Sequence, residues 1–380
     1  MTALQTEVAI IGGGIIGLST AWQLARAGVE VCVLERSEAG KSASWAAAGM
    51  LAPQAEVGFE EINFLRLGQE SLALYPKFLE ELREDSGLDV QLDMRGTLMI
   101  ALDRDDREAL RREFEFRKSI GLAVEWITTS EARELEPLLS PKVTSAIWLP
   151  NDYQIDNQGL ILALRKALIV RGGKLYEQTA VERVEIDQGK VVGVVTRAGD
   201  VNAKSVVLAA GAWSHKLAGL PEEVRPAVRP VKGQILTLKM TEQLRMTKVV
   251  RSPRVYLAPK LDSRLIIGAT SEEKGFDTVP TAGGVLTLLE EAFEAVPAIY
   301  ELSIEEIRVG LRPGSRDNEP LIGESLVKNL FIATGHYRHG ILLAPVTAKA
   351  LVAMIQGEPV SKTLLPFRPS RFLTTSTTTA

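Results

Sequence analysis

EVAIIGGGIIGLSTAWQLARAGVEVCVLE, residues 7–35, is the stretch from which the fold of this chain is read. Residues 7–11 form a short apolar run ending in glycine, the pattern of a buried strand. Residues 17–27 place Leu18, Ala21, Trp22, Leu24 and Ala25 on one helical face, and Gly28 is a good stop. Residues 30–34 are strand-like again, so the order is strand, helix, strand. The turn between the first two holds Gly12, Gly14 and Gly17 in the spacing G-x-G-x-x-G. Those glycines permit a tight turn, close backbone approach to a pyrophosphate, and close helix–strand packing. The helix N-terminus adds unpaired N–H groups and partial positive charge for phosphate. Glu35, 18 residues after Gly17, is near the distance at which an acidic side chain accepts hydrogen bonds from a ribose.

The fingerprint alone does not separate NAD from FAD. Two later segments do: VVLAAGAWS at 206–214 and LFIATGHYRHG at 330–340. Each is a buried strand ending in residues too small to obstruct a flat ring, and the second runs directly into a helix. An N-terminal fingerprint with a C-terminal return to the same sheet suits a long cofactor, FAD, bound across a domain.

The remaining pattern is α/β. Residues 42–50 (SASWAAAGM) read as small and flexible. Helices are expected over 63–82, 104–120, 158–171 and 283–296, the second so charged that it reads as a solvated surface element. Strands are expected within 88–102 and at 174–178, 181–187, 191–196, 205–210, 234–239, 255–259, 265–269, 304–309 and 330–333, with a turn at Gln188-Gly189. Residues 312–320 read as turn-rich. Leu343 to Met354 carry helical spacing, with Pro345 near the start. The tail 374–380 (TTSTTTA) is expected to be disordered.

Composition narrows the function. The chain has 380 residues, 46% hydrophobic and 24% charged, with formal net charge −4. That suits about two domains and makes phosphate-driven nucleic-acid binding a poor expectation. Residues 8–25 carry no charge, but their glycines argue against a membrane span. The acidic start argues against a signal peptide, so a cytoplasmic protein without a membrane partner is expected. Cys32, the single cysteine, lies in a buried strand and reads as an inert small hydrophobe. His215, His336 and His339 lack a third ligand, so no metal site is expected.

The chain resembles the D-amino-acid oxidase superfamily, and most closely its glycine oxidases of the thiamine pathway. IIGGGIIGLSTAWQLARAG, SASWAAAGML, VYLAP with IIGAT, GLRPGSRDNEPLIG and IATGHYRHGILLAPVTA carry the likeness, which runs over about 8–367. It implies a glutathione-reductase-type FAD-binding domain and a substrate domain built on a mixed β-sheet. The expected division is 1–85, 145–225 and 305–367 for the first, 86–144 and 226–304 for the second, with 368–380 a disordered tail. It implies oxidation of glycine, sarcosine and small D-amino acids by hydride transfer to flavin N5. Oxygen then yields hydrogen peroxide, and the imine yields an oxo acid and ammonia or enters the thiazole ring. A homo-oligomer, a tetramer being one form, and a thiazole synthase partner are further expectations. By the resemblance, Gly12, Gly14, Ile15, Ile16, Gly17, Glu35 and Arg36 serve the adenosine and phosphate part of FAD, and Val181 the adenine end. Ser44, Ala48, Gly49, Met50 and Gly211 lie along the cofactor. His336, Tyr337, Arg338, His339, Gly340, Ile341 and Leu342 wrap the isoalloxazine ring. Arg312 binds the substrate carboxylate, Tyr256 stands beside it, and Arg338 and Met50 reach the substrate. Tyr256, Arg312 and Arg338 are the expected catalytic set. FAD is expected to be non-covalent, because Cys32 is not placed to hold it.

Plainer readings exist. Arg312 could pair with Glu319, and Tyr256 could only pack in its strand. Ser271 stands where glycine oxidases can carry methionine, and Arg254 where an uncharged residue or histidine is expected; both are assigned to the substrate entrance. Two other functions compete: a D-amino-acid dehydrogenase passing electrons to a quinone, and a non-catalytic flavin-binding scaffold.

Overall fold

The computed structural model describes residues 4–372, and there the opening stretch is the strand Leu4–Ile11, the helix Ile15–Arg26 and the strand Val31–Leu34. The helix begins two residues before the expected start because Gly14 already serves as its N-cap. Gly17 therefore sits in the first turn, where a Cβ would collide with the Gly12 carbonyl. Five parallel strands form the centre of the first sheet, in the order Leu330–Thr334, Gly199–Leu208, Leu4–Ile11, Val31–Leu34 and Lys174–Tyr176. Val181–Asp187 and Lys190–Thr196 form an antiparallel ribbon on the same sheet, and Leu321–Glu324 flanks Leu330–Thr334. Gln188 and Gly189 both have positive φ, as a tight two-residue hairpin turn requires.

One face of this sheet is covered by Ile15–Arg26, Ile62–Ser86, Asn157–Val170 and Gly340–Gln356. Trp22, fully buried, donates to Asp85 at 2.8 Å, and Asp85 also binds Arg26 and Arg171. Pro345 lies deeper in its helix than expected, at the sixth position of Gly340–Gln356. It has no N–H for the Ile341 carbonyl. The Tyr75 hydroxyl donates to that carbonyl instead, and Ser71 Oγ donates to the Leu342 carbonyl at 2.6 Å.

The second sheet is mixed and has eight strands: Ser303–Gly314, Arg229–Lys239, Arg264–Gly268, Tyr256–Pro259, Val249–Arg251, Thr97–Ala101, Ser145–Leu149 and Glu125–Ile127. Its one parallel pair joins Val249–Arg251 to Thr97–Ala101. Ala282–Ala295 packs on it through Leu288, Ala292 and Ala295. Ser145–Leu149 and Ser303–Gly314 thus belong to this sheet, although 145–225 and 305–367 were expected in the FAD-binding domain. The expected turn at 312–320 starts late for the same reason: Arg312 is still in a strand.

Two further expectations are corrected. The charged helix Arg104–Ser119 is not wholly a solvated face, because Arg117 is buried and donates to the carbonyls of Gln54 at 2.7 Å and Ala55 at 3.0 Å. Nor does disorder begin at 368: Pro369–Phe372 forms a 3-10 turn, and Arg371 pairs with Asp317 at 2.9 Å. The expectation for 374–380 lies outside the described residues. Among the described residues no helix is long and apolar enough to cross a membrane.

Candidate active site

A cavity of about 510 Å³ is lined from both large sheets. At one end it is walled by the glycine turn. Gly12 has φ +105°, and a Cβ there would come within 2.5 Å of the Ala209 carbonyl oxygen. Gly14 differs: a Cβ on it would meet only Ser44 Oγ, at 3.5 Å, and would otherwise enter the cavity. The helix behind it has no side-chain cap from Gly14, and the Ile15 N–H donates to Ser44 Oγ at 3.0 Å. Glu35 accepts from the Gly13 N–H at 2.8 Å and from the Ser37 N–H at 3.0 Å, which fixes its carboxylate beside the turn. Arg36 stacks on the Trp213 ring, 3.5 Å from its centroid.

The segment 42–50 also lines this wall, and it is built rather than flexible. It contains the short helix Ala43–Ala46 and the strand Met50–Leu51. Asn157 Nδ2 donates to the Ser44 carbonyl at 2.8 Å, and Arg308 Nη1 to the Trp45 carbonyl at 2.8 Å.

Ile15, Ile16, Ala48, Gly49, Met50, Val181, Gly211, His336, Tyr337, Arg338, Gly340 and Ile341 line the cavity as well. Gly17, His339 and Leu342 do not. Gly17 faces Gly12, His339 packs against Phe64 with ring centroids 4.0 Å apart, and Leu342 joins the apolar core. These three support the wall from behind.

At the other end, Arg312 and Tyr256 come together from different strands. The Arg312 guanidinium lies over Gly233, where a Cβ would approach it to 2.5 Å. It donates to the Thr270 carbonyl at 3.0 Å and has no ion-pair partner among the described residues, so it does not pair with Glu319. The Tyr256 ring lies over Gly268 in the same way, with Cζ 2.5 Å from a Cβ there. Burial pushes the Tyr256 phenol up to about 12, against the pull of Arg312, so its hydroxyl stays a donor at neutral pH. Arg338 has no ion-pair partner among the described residues and stands 5.5 Å from the Tyr337 ring. The arrangement offers a guanidinium without an ion-pair partner among the described residues and a phenol donor, the chemistry that holds a carboxylate.

A family model described as FAD dependent oxidoreductase (DAO) matches residues 7–354. Glycine oxidase of Geobacillus kaustophilus is 36% identical over 97% of this chain and 97% of its own. The chain belongs to the glycine oxidase family of FAD-dependent oxidoreductases. The crystal structure of the Geobacillus kaustophilus glycine oxidase superposes with a TM-score of 0.92 at 35% identity, covering 97% of this chain and 99% of that one. The bifunctional protein ThiO/ThiG of Trichormus variabilis is 36% identical over 99% of this chain but only 56% of its own length. The cofactor of the family is FAD, and this cavity fits it: the helix N-terminus and open Gly14 face for the pyrophosphate, Glu35 for a ribose.

Ser271 and Arg254 both line the cavity: Ser271 Oγ lies 3.5 Å from the Tyr337 hydroxyl, and half-exposed Arg254 pairs with Glu291 at 2.7 Å. His336 is buried and bonded to Thr347 Oγ1 at 3.1 Å; burial, with His339 next to it, depresses its pKa to about 3 and keeps it neutral. Glu56, Trp213, Gly233, Arg251 and Gly268 all line the cavity and were not singled out from sequence. Gly268 stands in the expected strand 265–269, where glycine is unfavourable, and that was a usable signal, whereas Gly233 lies just before the expected strand 234–239. Glu56 and Arg251 gave none, since a four-residue helix and a three-residue strand carry no periodicity.

Proposed function

We propose that this protein oxidises glycine, sarcosine and small D-amino acids, with oxygen as the final acceptor, giving hydrogen peroxide and an imine. The imine hydrolyses to an oxo acid and ammonia. The supporting observation is the Arg312 guanidinium, which has no ion-pair partner among the described residues, near Tyr256 and in the same cavity as the dinucleotide turn. FAD, when bound, supplies the acceptor for hydride from the substrate Cα. The chain's own task is positioning. Arg312 grips the carboxylate as a fork, and Tyr256 adds a donor without a second charge. A carboxylate pinned at two points leaves one Cα–H of glycine directed at a fixed acceptor, which selects one hand of any larger amino acid. Polar Ser271 and Arg254 at the entrance favour small side chains.

The relatives joined to ThiG support a further part of the proposal: a thiazole synthase that takes the imine. A cytoplasmic location and a homo-oligomeric state belong to the same reading.

Anaerobic bleaching of the flavin by a substrate panel tests it. Glycine, sarcosine and D-alanine should reduce the protein, L-alanine should not, and oxygen should restore the colour with release of peroxide. Reduction by L-alanine comparable with D-alanine would refute the handedness. Arg312→Met should weaken glycine binding by about 2–5 kcal/mol while FAD content stays constant.

A further inference from the structure

We infer that Glu56 sets substrate specificity: its carboxylate masks Arg251 and so bars amino acids that carry a second acidic group. This rests on the amino-acid oxidase reading of the cavity. Glu56 Oε1 accepts from Arg251 Nη1 at 3.0 Å, and Oε2 lies 3.0 Å from His339 Nδ1. Both Glu56 and Arg251 line the cavity, and Arg251 stands directly opposite Tyr256 across an antiparallel pair. The pair therefore borders the residues that hold the substrate carboxylate.

Four arginines line the cavity at this end, Arg251, Arg254, Arg312 and Arg338; Arg254 pairs with Glu291 and Arg251 with Glu56. A first substrate carboxylate goes to Arg312. A second, on the nitrogen or on a D-side chain, would reach toward Arg251 and find it taken. It would also meet the Glu56 charge, a like-charge contact in a partly dry site. Arg251 is thus an anion site filled by the protein's own side chain.

Glu56 cannot easily swing away. Its helix, Pro53–Glu56, is held at one end by Asp152, which accepts from the N–H groups of Gln54 at 3.0 Å and Ala55 at 2.7 Å. At the other end buried Arg117 takes the carbonyls of the same two residues. Burial alone would raise the Glu56 pKa. The neighbouring His339 ring and the charges of Arg251 and Arg338 outweigh that and hold it well below the usual carboxylate range.

The test uses the FAD-loaded enzyme and reads ligand-induced shifts of the flavin spectrum. In the wild type, malonate should bind at least about tenfold more weakly than acetate. Malonamate, of malonate's size with an uncharged amide, should bind about as well as acetate. In Glu56→Gln the order should invert, and the ratio of kcat/KM for N-(carboxymethyl)glycine over glycine should rise at least about tenfold. Adding Arg251→Met should remove that gain. Wild-type malonate binding as tight as acetate overturns the proposal, and so does malonamate as weak as malonate, which would mean exclusion by size. An unmoved ratio in a folded Glu56→Gln variant overturns it too. If Glu56→Gln fails to fold, the wild-type titrations decide alone. Failure of glycine to reduce the wild type refutes the oxidase reading instead, so the two failures are distinct.

Discussion

The two ends of the cavity are built by different rules. At the dinucleotide end, glycines are needed for the chain's own path: Gly12 for its positive φ, Gly17 because the Gly12 carbonyl lies against it. At the substrate end, glycines are needed as seats for other residues: Gly233 for the Arg312 guanidinium, Gly268 for the Tyr256 ring. The first kind of constraint is local and repeats as a motif. The second exists only after distant strands have paired. Gly233 pairs with Gly310, two residues from Arg312 on the neighbouring strand, and Gly268 pairs with Tyr256 itself.

The comparison is tested most severely at Gly14, whose open face points into the cavity. Gly14→Val should fold but lose its FAD, seen as a colourless protein with a native far-UV circular-dichroism spectrum that melts like FAD-stripped wild type. A normal flavin content would show that the pyrophosphate does not approach this turn. Gly233→Ala probes the other end. The new methyl should push Arg312 out of place and lower kcat/KM for glycine by about a hundredfold, the usual cost of a displacement near 1 Å. FAD content should not change, and loss of FAD would mean that the two ends are not separable.

A smaller effect tests the wall they share. Tyr75→Phe leaves the Ile341 carbonyl, orphaned by Pro345, without a partner, and should destabilise the fold by about 1–3 kcal/mol in denaturant titration. The last prediction concerns the Glu56 helix. Burial, more than the nearby Glu56 charge, pushes the Asp152 carboxyl up to about 7. Its folded pKa lies above its unfolded value of about 4, so the native state holds a proton that the unfolded chain has lost. Its contribution is therefore present at low pH and falls as pH rises through about 7. Asp152→Asn, which never ionises, should gain about 1–2 kcal/mol relative to wild type between about pH 5 and pH 7. Parallel pH profiles for the two proteins would remove Asp152 as the titrating group.

What the sequence determined by itself was whatever depends on neighbours in the chain. The β-α-β order of residues 4–34, the glycine turn, the position of Glu35 and the Gln188-Gly189 hairpin follow from spacing and backbone sterics. The resemblance added Tyr256, Arg312 and Arg338, and the fold places all three on one cavity. Tertiary structure alone decided the rest. It moved Ser145–Leu149 and Ser303–Gly314 into the second sheet, because strand partners are chosen by long-range pairing that no local pattern encodes. It turned the small-residue run at 42–50 into a fixed wall through side chains more than a hundred residues away. It buried Arg117, on a helix whose charge reads as solvated, because the carbonyls of Gln54 and Ala55 supplied the partners that a buried guanidinium needs. And it brought Glu56 to Arg251, 195 positions apart, where the pairing of two charges depends on the packing of both sheets and on nothing in either segment.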